Sequence, residues 1–133
     1  MCLYINKDAE IKTAKRNIIC WKKLKLSNES EFRGFEYEMG VKYDIPEGMA
    51  THINEYDRLQ VERAFHSWEN KPSNHSFSYK IVICVIPKGS TYFEGTQHDC
   101  RDGYASDAII VYDYTKWYQK IKFWFNYLSL SLK

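Results

Sequence analysis

The chain has 133 residues, of which 44% are hydrophobic and 17% aromatic, and its formal net charge is +2. This length and composition predict one folded domain with a buried core, and they exclude an intrinsically disordered chain. No apolar run approaches the roughly 18 residues of a membrane span, which excludes a transmembrane helix.

The first third of the chain predicts mainly short β-strands. We expect a first strand at residues 2–5, followed by a helical turn at residues 8–15 that is capped by its first residue. An apolar segment predicts a strand at residues 18–26. Residues 32–39 and 41–45 alternate apolar and polar side chains, which is typical of half-buried strands.

The strongest strand pattern lies in the second half of the chain, at residues 79–86. Because this segment is apolar on both faces after Lys80, we expect it to be central in the sheet and fully buried. The other elements predicted here are an ambiguous helix or strand at 53–64, strands at 65–68 and 92–94, a polar loop at 95–103 and a last strand at 108–112.

The clearest helix pattern follows Asp113, which is a candidate cap. One apolar stripe with helical spacing is expected to dock on the sheet, and it consists of Tyr114, Trp117, Tyr118, Ile121, Trp124, Phe125 and Leu128. Phe123, Tyr127 and Leu130 lie off that stripe, so the helix is apolar around most of its circumference. The surplus apolar side predicts contact with a partner.

Strands followed by a terminal helix predict an α+β domain. We expect a single domain over residues 1–133, with a strand-rich body at 1–112 and a C-terminal amphipathic helix at 113–133. The body should be a mostly antiparallel, curved sheet of about five to seven strands.

The charges are unevenly distributed along the chain. Residues 1–25 carry seven Lys or Arg and two acidic residues, whereas residues 26–113 carry eight basic and fifteen acidic residues. Residues 114–133 carry four lysines and no acidic residue. Basic ends around an acidic middle predict a polarised surface if the two ends meet in space.

Cysteine usage and the N-terminus indicate a reduced, cytoplasmic protein. The chain contains four cysteines: Cys2, Cys20, Cys84 and Cys100. One polar segment also groups possible metal ligands: His98, Asp99, Cys100 and Asp102. With no C-x-x-C pair and no recognised ligand spacing, we expect a solvated loop there and no metal. The N-terminal residues lack the basic and apolar segments of a secretory signal.

A possible catalytic group consists of His66 and Ser67 together with Ser106 and Asp107. A histidine near a carboxylate can act as a general base for a hydroxyl or for water. We favour a packed His66 and a turn at Ser106 and Asp107, because no motif geometry links these residues. The phosphate-binding motifs G-x-G-x-x-G and G-x-x-x-x-G-K do not occur.

Two segments mix lysines with aromatic residues and form the predicted partner-binding set. They contribute Trp21, Lys22, Lys23 and Lys25 from the early strand and Trp117, Lys120, Lys122, Phe123, Trp124 and Tyr127 from the helix. Such a surface suits RNA or single-stranded nucleic acid, which stacks bases on aromatic rings and pairs phosphates with lysines. The alternative is that the aromatic side chains form core and the lysines only keep the surface solvated.

Several short segments together form a pattern that resembles a known group of proteins. The segments are Met1-Cys2-Leu3-Tyr4, Cys20-Trp21-Lys22, Phe35-Glu36-Tyr37-Glu38-Met39-Gly40, Phe65-His66-Ser67-Trp68, Ile86-Pro87-Lys88-Gly89-Ser90-Thr91-Tyr92-Phe93-Glu94-Gly95 and Tyr104-Ala105-Ser106-Asp107. In patches over residues 1–112 they resemble small, largely uncharacterised proteins of bacterial and phage genomes. The resemblance implies a mobile-element context and no particular chemistry.

The strand, Ile-Pro-Lys-Gly and strand order at residues 79–94 also resembles the later part of ADP-ribosyltransferase folds. That family needs an Arg or His on an early strand and usually a Glu near a late one. Here the early strand offers Cys20-Trp21-Lys22, and the late position offers Asp107. The resemblance implies, as an alternative function, an NAD-using enzyme that works through His66, Ser67 or Asp107.

The leading hypothesis is a non-catalytic binding protein of a phage or mobile element that needs no cofactor. We expect a protein or ribonucleoprotein partner, such as a host defence complex inhibited in the manner of an anti-CRISPR protein. RNA contact is a further possibility, and no membrane partner is expected. A homo-oligomeric structural protein, in which the helix pairs with itself, is the remaining alternative.

Overall fold

The structure is a computed structural model that describes residues 3–5, 10–30, 35–53, 59–73, 77–97 and 101–131. Within these ranges the chain forms eleven β-strands and one C-terminal α-helix. All strand pairs are antiparallel, so the predicted α+β class with an antiparallel sheet is confirmed. The strand count exceeds the predicted five to seven, because several strands are only two to four residues long.

The elements in chain order are β1 (Leu3–Ile5), β2 (Lys12–Thr13), β3 (Ile18–Lys25), β4 (Lys42–Asp44), β5 (Ala50–Ile53), β6 (Leu59–Arg63), β7 (Phe65–Trp68), β8 (Tyr79–Ile86), β9 (Thr91–Gln97), β10 (Asp102–Ser106), β11 (Ala108–Tyr112) and α1 (Trp117–Ser131). The strand order is β4-β11-β8-β3-β7-β10-β9-β1-β6-β5, and β2 pairs with β9.

Strand β8 is central and buried, as its apolar sequence predicts. It lies between β3 and β11, and it pairs with β3 over eight consecutive residues, from Tyr79↔Lys25 to Ile86↔Ile18. Its residues from Ile81 to Ile86 are all buried. Successive side chains of β8 therefore point alternately into two apolar clusters, one on each face of the sheet.

The sheet is strongly curved at the connection between β10 and β11. Only Asp107 separates these two strands in sequence, yet β8, β3 and β7 lie between them in the sheet. Four strand spacings in a flat sheet would span roughly 19 Å. The two peptide units from Ser106 to Ala108 reach only about 7 Å. The sheet must therefore curl back until the end of β10 meets the start of β11.

Because the sheet curls, its inner and outer faces each carry an apolar cluster of the core. One cluster fills the inner face and includes Cys20, Leu24, Tyr37, Val82, Cys84, Ile86, Tyr104, Ile109 and Val111. A second cluster lies on the outer face, where α1 covers Ile83, Val85, Ile110 and Tyr112. Helix α1 thus covers part of the outer face of the sheet, and the curled strands of the sheet enclose its inner face.

Helix α1 docks through Phe123 and Tyr127, which were predicted to lie off its docking stripe, and the side chain of Leu130 lies outside the described residues. Phe123 is fully buried, and its ring meets the Tyr112 ring at 5.2 Å. By contrast, Trp117 is 74% exposed and Phe125 is 76% exposed. The predicted docking face is therefore wrong. Helical spacing identifies apolar stripes but cannot decide between two of them, and here the sheet covers the narrower one.

A buried ion pair fixes the chain just before α1. Asp113 is 2% exposed, and its Oδ2 lies 2.9 Å from the Lys80 Nζ. Its other oxygen, Oδ1, accepts hydrogen bonds from the amide and the hydroxyl of Thr115. Burial alone would raise the pKa of Asp113, but the hydrogen bonds from Thr115 and Lys80 and the Lys80 charge lower it below its ordinary value. The residue organises the turn before the helix, which begins at Trp117 rather than at residue 113.

Three other local predictions are corrected by the backbone. The described part of residues 8–15 contains the strand β2, not a helical turn. In the segment 95–103, β9 continues to Gln97 and β10 begins at Asp102, so five of the six described residues of the predicted loop lie in strands. In the segment 32–39, the described residues form one isolated bridge, Glu29↔Glu36, instead of a strand. Cys2, His98, Asp99 and Cys100 lie outside the described residues.

Candidate functional site

The most unusual surface of the molecule is the side of α1 that points away from the sheet. Six large apolar side chains there are between 48% and 76% exposed: Trp117, Tyr118, Ile121, Trp124, Phe125 and Leu128. At 3.6 residues per turn they occupy an arc of about 120° that no charged side chain interrupts. We call these six residues the outward face.

Lysines border the outward face on both sides. Lys120 precedes Ile121 on one border, and its Nζ lies 4.6 Å from the centre of the Tyr114 ring. Lys122 marks the other border and lies over the turn at Gly40, where an added Cβ would be 2.8 Å from the Lys122 Nζ. No acidic residue follows Asp113 in the sequence. The outward face is therefore an apolar strip with basic edges.

The predicted helix residues divide into three groups. Trp117 and Trp124 belong to the outward face, and Lys120 and Lys122 form its borders. Tyr127 is half-buried, because its ring stacks on Phe123 at 5.7 Å. Phe123 was predicted to contact a partner, and this is corrected: the residue has no exposed surface and belongs to the core.

Strand β3 extends the basic and aromatic surface to Tyr114, in the turn before α1. Trp21 meets Tyr114 edge-to-face at 5.6 Å, and the Lys71 Nζ lies 5.6 Å from the Trp21 ring and 5.8 Å from the Tyr114 ring. Lys23 and Lys25 have the same parity as Trp21 along the strand and are half-buried, with the Lys23 Nζ 5.0 Å from the Tyr79 ring. These β3 residues therefore lie on the same face of the sheet as α1.

Lys22 points to the opposite side of β3 and is 8% exposed. Its ammonium group donates a hydrogen bond to the backbone carbonyl of His66 and lies 5.5 Å from the Tyr37 ring. The predicted partner-binding role of Lys22 is therefore wrong. The alternation of a strand explains the error, because neighbouring lysines on β3 point to opposite faces.

Two cysteines stand next to this buried lysine in the inner core. Cys20 and Cys84 are direct cross-strand partners and have no exposed surface. Burial raises the pKa of the Cys84 thiol well above its ordinary value, and the neighbouring Cys20 raises it further. A buried, protonated thiol is a poor nucleophile, so we interpret Cys84 as part of the core.

The candidate catalytic residues are each engaged in local structure. The His66 Nε2 lies 2.9 Å from the Val61 carbonyl oxygen, and Ser67 is 1% exposed. Ser106 donates to the Ala108 carbonyl at 3.0 Å, which fits the turn that its sequence predicts. The two carboxylate oxygens of Asp107 accept hydrogen bonds from Thr91, one from the amide at 3.0 Å and one from the hydroxyl at 2.8 Å.

These contacts show that Asp107 has a structural role. Its carboxylate and its backbone tie the tight β10–β11 connection to the start of β9, and its carbonyl also accepts the Ile45 amide at 2.9 Å. A carboxylate used in this way is not directed at His66. No observation on these residues favours the NAD-using alternative.

The described residues were also compared with the requirements of a metal site and of a membrane span. Among them, no group of three or more His, Cys, Asp or Glu side chains is placed to hold a metal ion. The helix found in this part of the chain is too short to cross a membrane.

Comparison with known proteins adds no relative, since no family model, curated protein or solved structure matches the chain. The resemblances drawn from the sequence therefore stay predictions. The site has to be argued from the contacts and exposures of the chain itself.

Sequence reasoning missed four members of the outward face as partner contacts: Tyr118, Ile121, Phe125 and Leu128. It assigned them to the docked side because they belong to the longer apolar stripe. No sequence signal identified the docked side, because polar side chains occur on it and a polar helix surface normally faces solvent. Gln119 and Asn126 flank Phe123 on the helix surface, and both are half-buried in the structure.

Proposed function

We propose that the protein is a non-catalytic binding protein that inserts the outward face of α1 into an apolar groove with an acidic rim on a partner protein. The observation that carries this proposal is the exposure of six large apolar side chains on one helix side, between 48% and 76% each. Amphipathic helices that bind grooves use anchors at such i, i+3, i+4 and i+7 positions.

The size of the outward face supports a contact surface. From typical side-chain areas, its six residues expose roughly 700 to 800 Å². The largest apolar patch on an ordinary monomer is about 300–600 Å², and one side of a standard protein interface buries about 800 Å². Leaving such a strip in water is unfavourable, at about 25 cal/mol for each Å² of apolar surface.

The charges at the borders favour a foreign acidic partner over a second copy. If two copies paired through their outward faces, Lys120 and Lys122 of one helix would approach the same lysines of the other. The helix offers no carboxylate to balance them. Acidic residues around a groove would pair with these lysines while the apolar strip is buried.

The identity of the partner comes from the sequence prediction alone. A host defence ribonucleoprotein, inhibited in the manner of an anti-CRISPR protein, is the target we propose to test first. We propose contact with the protein part of that complex, since an apolar centre of the outward face suits a protein surface.

The experiment compares affinity capture of partners from the native host by three forms of the chain. The test variant is Trp117→Ala/Phe125→Ala, which removes the two most exposed rings of the outward face. The matched control is Phe77→Ala, because Phe77 is 98% exposed and lies on the turn before β8. A partner held by the wild type and the control, lost by the test variant, and then bound as a purified protein supports the proposal.

Equal capture by the test variant would contradict the proposal. Light scattering on the purified chain supplies the second criterion. A stable dimer that the Trp117→Ala/Phe125→Ala substitution dissociates would assign the outward face to self-association instead.

A further inference from the structure

A cavity of about 780 Å³ lies between β2, the β2–β3 connection, β9, β10 and the last part of α1. It forms beside the first residues of β3. In the described part of the sheet, the register of β3 with β7 consists of the single pair Trp21↔Trp68. Ile18 and Ile19 take no part in the pairing of β3 with β7, and they line the cavity. The volume falls within the range of small-molecule sites.

The lining of this cavity is basic. The described residues that line it include three cations, Lys12, Lys15 and Arg16, and one carboxylate, Glu94. Glu94 pairs with Lys12, whose Nζ lies 3.1 Å from its Oε2. Lys15 and Arg16 therefore give the cavity a positive excess, which favours an anionic ligand. Tyr127 of α1 lines the same cavity, so the basic N-terminal segment and the terminal helix do meet in space.

Backbone hydrogen bonds hold the basic wall in place. The Ala14 amide donates to the Ser90 carbonyl at 2.8 Å, and the Gly89 amide donates to the Ala14 carbonyl at 2.8 Å. The Asn17 side chain accepts the Lys88 amide, also at 2.8 Å. Lys15 and Arg16 thus extend from a segment that is tied on both sides to the turn after β8. A fixed backbone lowers the entropy lost when these side chains bind a ligand.

Aromatic rings also line the cavity. The Tyr92 and Tyr104 rings lie 5.8 Å apart in an edge-to-face arrangement, and Tyr92 is half-buried. Burial, together with the charges of Glu69 and Glu94, raises the pKa of Tyr104 to about 12. Its phenol is therefore protonated at neutral pH and adds no negative charge to the cavity.

From this juxtaposition of tyrosine rings and two cations on an anchored backbone, we propose that the cavity binds a nucleotide, with its phosphate at Lys15 and Arg16 and its base against Tyr92. Phosphate pairs with lysine and arginine, and a base stacks on an aromatic ring. A free nucleotide and one unit of a single-stranded RNA share this chemistry. None of the six residues of the outward face lines the cavity, and the inference does not rest on the proposed function.

The test is fluorescence anisotropy with a labelled six-nucleotide uridine RNA, with UMP, AMP and inorganic phosphate as competitors. The test variants are Lys15→Ala/Arg16→Ala for the phosphate contact and Tyr92→Leu for the base contact. The matched control, Lys42→Ala/Lys88→Ala, also removes two exposed cations, but neither residue lines the cavity. Circular dichroism and thermal unfolding verify that each variant is folded.

We expect the control to bind RNA like the wild type. The Lys15→Ala/Arg16→Ala variant should lose about tenfold or more in affinity, and its slope of log affinity against log salt should be shallower by about 0.7, the value for one phosphate of a single strand. Tyr92→Leu should weaken binding by at least about fivefold, the loss of one stacked base. Competition by UMP or AMP would assign the site to free nucleotides, whereas competition by RNA alone would assign it to a strand.

Three results would overturn the inference. They are no binding of any nucleotide by the wild type, an equal loss of affinity in the control variant, and competition by inorganic phosphate as effective as that by UMP. The Trp117→Ala/Phe125→Ala variant keeps the cavity intact and should bind RNA normally. Failure of the nucleotide site and failure of the partner contact are thereby distinguishable.

Discussion

Phe123 and Phe125 are two residues apart on α1 but should differ sharply in their contribution to stability. Phe123 is 0% exposed and packs against the rings of Tyr112 at 5.2 Å and Tyr127 at 5.7 Å. Phe125 is 76% exposed. Phe123→Ala removes a buried ring and leaves a cavity, which costs about 3–5 kcal/mol of unfolding free energy. Phe125→Ala should change that free energy by no more than about 0.5 kcal/mol.

Equilibrium unfolding in urea, followed by circular dichroism and tryptophan fluorescence, measures both variants. A domain of this size has a total stability of roughly 7–20 kcal/mol, so the loss expected for Phe123→Ala is large and the midpoint should fall clearly. A loss of 3 kcal/mol or more in Phe125→Ala, with little loss in Phe123→Ala, would refute the docking of α1. The outward face would then be the core face, and the proposed function would lose its basis.

Two further predictions concern the segments that hold α1 in place. Asp113→Asn should cost about 3–5 kcal/mol at pH 7, because it leaves Lys80 buried without its carboxylate. Since the folded-state pKa of Asp113 is lowered, its stabilisation is present above the unfolded value of about 3.9 and is lost as the pH falls through the folded value. The difference between variant and wild type in urea unfolding should therefore shrink towards pH 3, and an unchanged difference would contradict the ion pair. Gly40→Ala should cost about 1–2 kcal/mol, since its φ is +80°. Gly48→Ala is the control, with the same φ but no atom within 4 Å of the added Cβ. Similar losses in the two variants would show that Lys122 moves aside, whereas a much larger loss at Gly40 would show that the lysine is held there.

The strongest parts of the fold were predictable because local pattern and burial agree. Residues 79–86 are apolar at every position after Lys80, and such a strand has no place except the centre of the sheet. The curl of the sheet was predicted only in general terms. Its cause is the single residue between β10 and β11, and β10 itself was not recognised, because Gly103 and Ser106 weaken its strand pattern.

The candidate site was predictable in position but not in orientation. The surplus of apolar side chains on the terminal helix is visible in the sequence, and the structure does leave one apolar side of α1 exposed. Which side is exposed depends on how Phe123 fits against Tyr112, a contact across elements that no local pattern contains. The basic cavity was missed for a similar reason, since Lys15, Arg16 and Tyr92 come together only through the pairing of β2 with β9.

The most direct test of the outward face is photo-crosslinking in the native host, with a benzophenone amino acid placed at position 125. The same group at position 77 is the control, because Phe77 is even more exposed than Phe125, at 98% against 76%, and lies off the helix. We predict a specific crosslink at position 125 to a protein with an apolar groove and an acidic rim, none at position 77, and loss of the crosslink when Lys120 and Lys122 are changed to Glu. Crosslinking at position 125 that is no stronger or more specific than at position 77 would contradict the account.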